Sequence, residues 1–414
     1  MSLQEHRNRL YATLPEGSIV VSYAGVPVHT NEDDYYNFEA NSQFFYLTGL
    51  ERENMVFLAA KIKGKPEINE TLFIEEADPK QERWTGKMPT KEEAAQASGI
   101  KEIKYTSELS AAISRYLARE DIDYAYFDLY RCGAEDPEDY NALKAREFAR
   151  LYPGVTLRDL HKACVPLRER KDAEEIDLVR KAIDITRQGL DHVMKTLKPG
   201  MKEYQAQANF EYTCKSLGAV RFAFNTISAA GKNGCMMHYN TNREEIQPGS
   251  LLLMDLGAKY GNYCSDISRT FPADGVYTPR QKEVYQLVLK ANLAVAEAAR
   301  PGITLKDLNE VAKSVLGEGL VKMGLIQDAK DVGKYYMHSV SHSIGIDCHD
   351  ATFTGDVLQP GWIISDEPGL YIDEEAIGIR IEDDLLITED GCEVLSKDII
   401  KDPDEIEKFM RRED

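Results

Sequence analysis

The chain has 414 residues, enough for two domains, and its hydrophobic fraction of 43% and charged fraction of 29% are ordinary for a globular protein. Its formal net charge of −20, without any basic block, argues against nucleic acid as a partner, because phosphate binding needs clustered Lys and Arg. No apolar run reaches membrane-spanning length, the first residues lack the apolar core of a signal peptide, and the seven cysteines form no CxxC pair. We therefore expect a cytoplasmic protein without a membrane partner.

The first part of the chain alternates strand and helix patterns, which is typical of an α/β domain. The predicted elements are strands at 18–23, 54–60, 71–75 and 124–130, and helices at 91–97, 109–119 and 137–152. We place this domain at residues 1–165. It contains few combinations of acids and histidines, so we expect no chemistry in it.

A polar, proline-marked connection around Val165 and Pro166 leads into a second domain, which we place at residues 166–414. Asp172 and Glu175 form a capping-box pattern, since an N-cap acid is followed three residues later by Glu. Apolar residues then recur at helical spacing, which predicts a helix running towards Leu197.

The second domain contains a weak internal repeat. A helix, a Pro-Gly step and a second helix occur around Pro199-Gly200 and again around Pro301-Gly302. Each copy continues into strand-like sequence. Two copies of a helix–helix–hairpin unit would form a pseudo-twofold domain, with the site between the halves, where ligand sites are favoured.

The first predicted hairpin, residues 251–268, carries two carboxylates. We centre its turn between Tyr260 and Gly261, which places Asp255 opposite Asp266. Opposite residues on paired strands lie about 4.5–5.5 Å apart at Cβ. Like charges at that distance repel, and each raises the pKa of the other.

The second predicted hairpin repeats this arrangement, because a turn centred between Glu374 and Glu375 places Glu367 opposite Glu382. Packing does not explain facing acids on strands rich in Leu and Ile, so a compensating cation is the natural explanation. Four carboxylates and one imidazole would neutralise two divalent ions, whose usual separation is about 3.5–4 Å. A salt-bridge network is the alternative, but the hairpins contain few basic residues.

Four of the eight histidines lie beside these hairpins. His238 precedes the first hairpin, and His338, His342 and His349 fall within twelve residues before the second. A lone histidine is more often structural, but three so close together beside paired acids indicate a functional site.

These motifs resemble those of the pita-bread metallopeptidases, and within them the Xaa-Pro aminopeptidases (aminopeptidase P), with the prolidases close behind. The resemblance covers nearly the whole chain. The segments that carry it are residues 41–49, 82–86, 167–176, 254–257, 265–270, 338–349, 367–371 and 378–382. It implies a creatinase-like α/β domain followed by a pseudo-twofold pita-bread catalytic domain, an α+β architecture as a whole.

The resemblance implies five metal ligands. Asp255 would bind one ion, Asp266 and Glu382 would bridge both, and His342 and Glu367 would bind the second. Carboxylate-rich ligation with one imidazole suits manganese by ligand hardness, with cobalt, zinc and iron as alternatives.

The resemblance also implies roles around a peptide substrate with penultimate proline. Hydroxide shared by the ions would attack the scissile carbonyl, and Glu367 would exchange the proton. His238 and His349 would hydrogen-bond the carbonyl and the tetrahedral intermediate, and His338 would hold the proline end. Arg380 would orient the bridging acids.

Two alternatives stay open at this point. A prolidase would cut only Xaa-Pro dipeptides, and a non-catalytic binding module would have broken ligand positions, of which there are none here. Ser339 and Asp366 depart from the family pattern, in which glycine and an apolar residue are usual. Because the family is commonly dimeric or tetrameric, we also expect a homo-oligomer.

Overall fold

A computed structural model describes residues 2–219, 221–353, 355 and 357–411. The chain divides into two compact units, Met1–Leu167 and Arg168–Asp414. Within the described residues, no helix combines the length and the apolarity that crossing a bilayer requires.

The first unit is built on a six-stranded mixed sheet. Its strands are β1 (Ser18–Tyr23), β2 (Val56–Lys61), β3 (Ile68–Ile74), β4 (Glu102–Tyr105), β5 (Tyr124–Phe127) and β6 (Thr156–Asp159). Its helices are α1 (Leu3–Thr13), α2 (Ser42–Thr48), α3 (Pro79–Thr85), α4 (Lys91–Ser98), α5 (Leu109–Arg119) and α6 (Tyr140–Leu151), with a short 3₁₀ turn at Thr106–Glu108, and α7 (Leu160–Arg168) follows β6. The strand order is β4-β3-β2-β1-β5-β6.

The core of the first unit lies between this sheet and two helices. Val21, Phe73 and Phe127 of the sheet pack with Ile113 of α5 and Phe148 of α6. The predicted α/β character is therefore confirmed. The edge strands β4 and β6 were not predicted, because both are short and mostly polar and show little of the alternation that marks a strand.

In its described residues, the second unit contains two helix pairs, one further short helix and four small sheets. Its helices are α8 (Ala173–Thr196), α9 (Glu203–Ser216), α10 (Pro279–Ala298), α11 (Leu305–Lys322) and α12 (Pro403–Met410), with 3₁₀ turns at Gly231–Cys235, Ala329–Lys334 and Asp373–Glu375. Its strands are β7 (Arg221–Phe222), β8 (Ile227–Ala230), β9 (Leu251–Leu256), β10 (Ala258–Tyr260), β11 (Tyr263–Cys264), β12 (Ile267–Pro272), β13 (Ile363–Asp366), β14 (Gly369–Ile372), β15 (Ile377–Arg380), β16 (Asp383–Ile387) and β17 (Cys392–Val394). The sheet orders are β11-β10-β7, β12-β9-β8, β13-β16-β17 and β14-β15.

The helix pairs confirm the predicted repeat. The Asp172 side chain accepts hydrogen bonds from the first free amides of α8, and the Glu175 side chain accepts one from the backbone N of Asp172, which is the predicted capping box. α8 packs on α9, and α10 packs on α11. The step between the helices also repeats, since Gly200 and Gly302 have φ of 87° and 92°, a region that glycine enters without strain.

The first hairpin has a different register from the predicted one. Its turn consists of Gly261 and Asn262, with φ of 54° and 64°, and positive φ at both positions is what a type I′ turn requires. Asp255 therefore pairs with Ser268. The predicted opposition of Asp255 and Asp266 is wrong, because the turn lies one residue further along the chain. The resulting shift of two positions keeps both acids on one face.

The second hairpin has the predicted register. Ile372 pairs with Ile377 on either side of the turn, and Asp366 pairs with Asp383 at the far end. Glu367 and Glu382 lie just outside the strands, at positions that this register places opposite each other.

Candidate active site

All residues predicted for the site line one cavity of about 700 Å³ in the second unit. The predicted residues there are His238, Asp255, Asp266, His338, His342, His349, Glu367, Arg380 and Glu382. The other lining residues are Phe224, Asn225, Ile227, Met237, Asn240, Ser339, Ser341 and Cys348. The cavity therefore has acids and histidines together with apolar wall, which suits a peptide-sized ligand.

The four acids enter the cavity from strand ends. Asp255 lies near the end of β9, and Asp266 lies between β11 and β12. Glu367 follows β13 and Glu382 follows β15, so each hairpin contributes two carboxylates. Strand pairing on both sides of β9 fixes the backbone of Asp255, whereas the other three acids lie in the connections between strands.

His342 lies among these acids. Its Nε2 is 3.3 Å from Asp266 Oδ2 and 3.5 Å from Glu367 Oε1. Its Nδ1 is 3.1 Å from the carbonyl oxygen of Ser343, a contact that turns Nε2 towards the acids. Ligand atoms of Asp266, His342 and Glu382 all lie within 4.8 Å of one another, a spacing that one metal ion can span.

Burial and mutual repulsion keep protons on this site. Burial, opposed by Arg380, raises the pKa of Asp255 to about 6, and burial raises the pKa of Glu367 to about 7. Burial and the charge of Asp266 raise the pKa of Glu382 well above its ordinary value. For His342, burial lowers the pKa, but Asp266 and Glu367 outweigh it and raise the pKa to about 9. Without a metal ion, bound protons thus compensate the negative charge of these carboxylates. A bound cation could compensate the same charge in place of the protons.

Two carboxylate oxygens in the site point to a cation. Asp255 Oδ1 and Asp266 Oδ1 are buried, and no donor in the described part of the chain hydrogen-bonds them. Buried polar atoms in proteins nearly always have partners. Carboxylate oxygens and one imidazole nitrogen form a mostly hard donor set, so the residues present fit divalent ions of the manganese kind.

Arg380 connects the two hairpins. Its Nη2 donates to Asp255 Oδ2 at 2.5 Å, and its Nε donates to Ser268 Oγ at 2.9 Å. Ser268 Oγ in turn donates to Glu382 Oε2 at 2.7 Å. Arg380 was predicted to orient Asp266 and Glu382, whereas these contacts join it to Asp255 directly and to Glu382 through Ser268.

Tyr371, which was not predicted from the sequence, joins His338 to Arg380. Its hydroxyl lies 2.8 Å from His338 Nε2 and accepts from Arg380 Nη1 at 2.9 Å. Burial and the charge of Arg380 lower the pKa of His338 to about 4, so this ring is neutral near pH 7. A signal was available, because Glu367, Gly369 and Tyr371 alternate with the period of a strand face.

The other two histidines lie closer to solvent. The His349 ring stacks on the His342 ring with centroids 3.9 Å apart, and burial lowers the pKa of His349. His238 is exposed at the cavity rim. Cys348, another residue that was not predicted, lies beside them and donates from Sγ to Asp266 Oδ2 at 2.9 Å.

The two departures from the family pattern differ in position. Ser339 lines the cavity. Asp366 is fully buried and faces α10, where Asn292 Nδ2 donates to Asp366 Oδ2 at 3.1 Å. Its carboxylate therefore lies behind the strand that leads to Glu367.

Two family models match the chain. Residues 177–389 match metallopeptidase family M24, and residues 3–125 match the N-terminal domain of aminopeptidase P. Among curated proteins, Xaa-Pro aminopeptidase of Escherichia coli K12 is 31% identical, with 98% of this chain and 97% of that protein covered. Human Xaa-Pro aminopeptidase 3 is 28% identical, with coverages of 94% and 80%.

Solved structures agree along almost the whole chain. A Bacillus anthracis protein assigned as an aminopeptidase P superposes with a TM-score of 0.95 at 43% identity, covering 99% of this chain and 97% of its own. The low-pH form of aminopeptidase P from E. coli superposes with a TM-score of 0.90 at 30% identity, with coverages of 99% and 98%. Both the first and the second unit thus have counterparts in the same relatives.

Proposed function

The chain belongs to metallopeptidase family M24, and we propose that it removes the N-terminal residue from peptides with proline at the second position. The family predicted from the motifs, with its pita-bread domain and its preceding α/β domain, is confirmed. The observation that carries the proposal is the gathering of four carboxylates and His342 in one cavity of a chain that matches Xaa-Pro aminopeptidases from end to end.

We propose that Asp255, Asp266, His342, Glu367 and Glu382 hold two divalent ions, most favourably manganese. Two observations support this ligand set. Asp255 and Asp266 each have a buried oxygen without a partner among the described residues, and ligand atoms of Asp266, His342 and Glu382 lie within 4.8 Å of one another. Divalent ions held there would supply Lewis acidity, which makes a water molecule acidic and polarises the scissile carbonyl. Cobalt, zinc and iron are the alternatives.

The protein's own groups handle the proton and orient the peptide. Glu367 accepts a proton from the attacking water and returns it to the leaving nitrogen. His238 and His349 hydrogen-bond the substrate carbonyl. His338 is neutral and, held by Tyr371, contacts the proline end. Arg380 keeps Asp255 in place, and through Ser268 it also keeps Glu382 in place.

The test is hydrolysis of an Xaa-Pro-Xaa tripeptide and an Xaa-Pro dipeptide, each with chelator and after manganese is added back. We expect release of the first residue from the tripeptide that stops with chelator and returns with manganese. Cleavage of the dipeptide alone would identify a prolidase. If neither peptide is cleaved while metal is bound, the proposed activity is wrong and the ligand set serves another purpose.

We propose a dimer or tetramer, in which Trp84 of α3, with 86% of its surface exposed, is available for a subunit contact; light scattering measures the assembly. We propose a cytoplasmic location because the seven cysteines are odd in number and form no CxxC pair. We also propose the domain boundary at 165/166, which falls within α7, and separate expression of residues 1–165 and 166–414 tests whether each piece folds.

A further inference from the structure

Glu203, the first residue of α9, has a fully buried carboxylate with four hydrogen-bond donors. Its Oε1 accepts from the backbone N of Ala230 at 2.8 Å and from Asn233 Nδ2 at 2.9 Å. Its Oε2 accepts from the hydroxyl of Tyr239 at 2.7 Å and from the backbone N of Glu244 at 3.0 Å. All four donors belong to residues 228–244, which we name the His238 segment.

The backbone of Glu203 makes two more bonds to the same segment. Its N donates to the carbonyl oxygen of Glu244 at 3.0 Å, and its carbonyl oxygen accepts from Ser228 Oγ at 2.9 Å. One residue thus makes six hydrogen bonds that hold the His238 segment near both of its ends.

A buried carboxylate is costly unless charge or hydrogen bonds compensate it. In the part of the chain that the structure describes, no Lys or Arg forms an ion pair with Glu203. Compensation comes from the four donors and from the N-terminal end of α9, where helix dipoles favour a negative charge. An apolar residue would fill the same space without this free-energy cost. The hydrogen bonds to the His238 segment therefore explain why a carboxylate stands here.

The His238 segment forms one wall of the cavity. His238, Met237 and Asn240 line it, and His238 itself is exposed. No protein group within the described residues hydrogen-bonds the His238 ring. The position of that ring therefore depends on its backbone, which Glu203 holds on both sides through Asn233 and Tyr239.

We propose that Glu203 is a positioning residue that fixes His238 against the cavity for the reaction. The inference rests on the proposed function, because it takes His238 as a group that contacts the substrate. Within the described residues, Glu203 hydrogen-bonds none of the proposed metal ligands, so its effect passes through the His238 segment.

The test is a double-mutant cycle of Glu203→Gln and His238→Ala on Xaa-Pro-Xaa hydrolysis with manganese. Gln keeps the shape of Glu but replaces one acceptor oxygen with an NH₂ group that faces two donors. We expect Glu203→Gln to lower kcat by about 10- to 100-fold with little change in KM, the range that loss of a supporting partner usually causes. In the His238→Ala background, the same substitution should lower kcat less than about twofold, because coupled residues are not additive.

Controls separate positioning from general destabilisation. Glu211→Gln makes the same chemical change on α9 at a more exposed site that pairs with Lys215, and its kcat should equal that of the wild type. Bound manganese should be unchanged in Glu203→Gln, since no ligand is altered. Equal losses in both backgrounds, or a Glu203→Gln enzyme as fast as wild type, would overturn the inference.

A milder variant covers the case in which Glu203→Gln does not fold. Tyr239→Phe removes only the phenolic donor, and we expect a fall in kcat of about 3- to 10-fold that disappears in the His238→Ala background. An additive loss again overturns the inference alone. A wild-type enzyme that releases no first residue overturns the proposed function, and the inference falls with it.

Discussion

The two halves of the second unit share a scaffold but carry unequal chemistry. In the first half, Gly200 N donates to the carbonyl oxygen of Ile246 at 2.8 Å, and in the second half Gly302 N donates to that of Leu358 at 3.1 Å. These bonds tie each helix pair to the strand region that follows it. The helix pair and its tie are therefore common to both halves.

The cavity residues differ between the halves. The first half contributes Asp255, Asp266 and one exposed histidine, whereas the second contributes three histidines and both glutamates. Neither half contains the whole set of proposed ligands. The repeated scaffold therefore fixes where side chains enter the cavity, while each half can change the chemistry of those side chains separately.

The histidine segments are also anchored differently. Glu203 of α9 presents a charged carboxylate to four donors. Asn309 of α11 presents one neutral oxygen, which accepts from the Tyr336 hydroxyl at 3.0 Å and from the backbone N of Val340 at 3.1 Å. The second half has an additional ionic anchor at Asp350.

The largest effect is expected from removing one proposed ligand from each half. Asp255→Ala and Glu382→Ala should each lower activity by at least about 1,000-fold, because the ions supply most of the chemistry. Both should also lose bound manganese, measured by elemental analysis of the purified protein. The exposed Glu389→Ala is the control. Full manganese content and turnover in either variant would show that one half binds metal without the other.

The ionic anchor of the second half should dominate stability. Arg168 Nη2 and Lys171 Nζ contact the buried carboxylate of Asp350, the latter at 3.0 Å. Asp350→Asn leaves the buried Lys171 without an ion-pair partner among the described residues and leaves Arg168 with Asp347 alone. It should cost about 3–5 kcal/mol in the free energy of unfolding, measured with urea. Asp347→Asn is the matched control, because that side chain is 43% exposed and should cost much less. Equal losses would contradict the prediction.

The same anchor predicts loss of stability in acid. Burial raises the pKa of Asp350, but Arg168 and Lys171 outweigh it and lower the pKa below the ordinary value. The ion pairs therefore stabilise the protein fully above about pH 4, the unfolded pKa, and progressively less as the pH falls through the lower folded pKa. Urea unfolding across this range should give a smaller pH dependence for Asp350→Asn than for the wild type. An equal pH dependence of the free energy of unfolding in both proteins would contradict this prediction.

The link between the halves should have an intermediate effect. Arg380→Lys keeps the charge but cannot hold Asp255, Ser268 and Tyr371 together, because only guanidinium has a planar set of donors. We expect kcat to fall about 10- to 100-fold and manganese to bind more weakly by titration calorimetry. The surface substitution Arg280→Lys should change neither quantity. If Arg380→Lys bound manganese with wild-type affinity, the contacts of Arg380 would not be what positions the proposed ligands.

The smallest effect should come from the neutral anchor. Asn309→Ala removes one acceptor from two donors and should cost about 1–2 kcal/mol in the free energy of unfolding. The fall in kcat should be smaller than the fall caused by Glu203→Gln, because Asp350 also anchors the histidine segment of the second half, residues 338–349. The two variants are compared in one hydrolysis assay. A larger loss in Asn309→Ala would reverse the proposed difference between the halves.

Several features were predictable from the sequence because they depend on local patterns. The capping box at Asp172, the helix pairs and the register of the second hairpin follow from cap chemistry, helical periodicity and equal spacing about a turn. The acids and histidines of the site also stand out in the sequence. All of them line one cavity, although their individual roles stay predictions.

Other features depend on backbone angles and on contacts between distant parts of the chain. The register of the first hairpin depends on the φ angles of Gly261 and Asn262, which periodicity does not reveal. Arg380 meets Asp255, and Glu203 meets the His238 segment, only because folding brings distant parts of the chain together. Local patterns indicate the face on which a side chain lies, but the partner it finds there depends on packing between elements, so these contacts could not be read from the sequence.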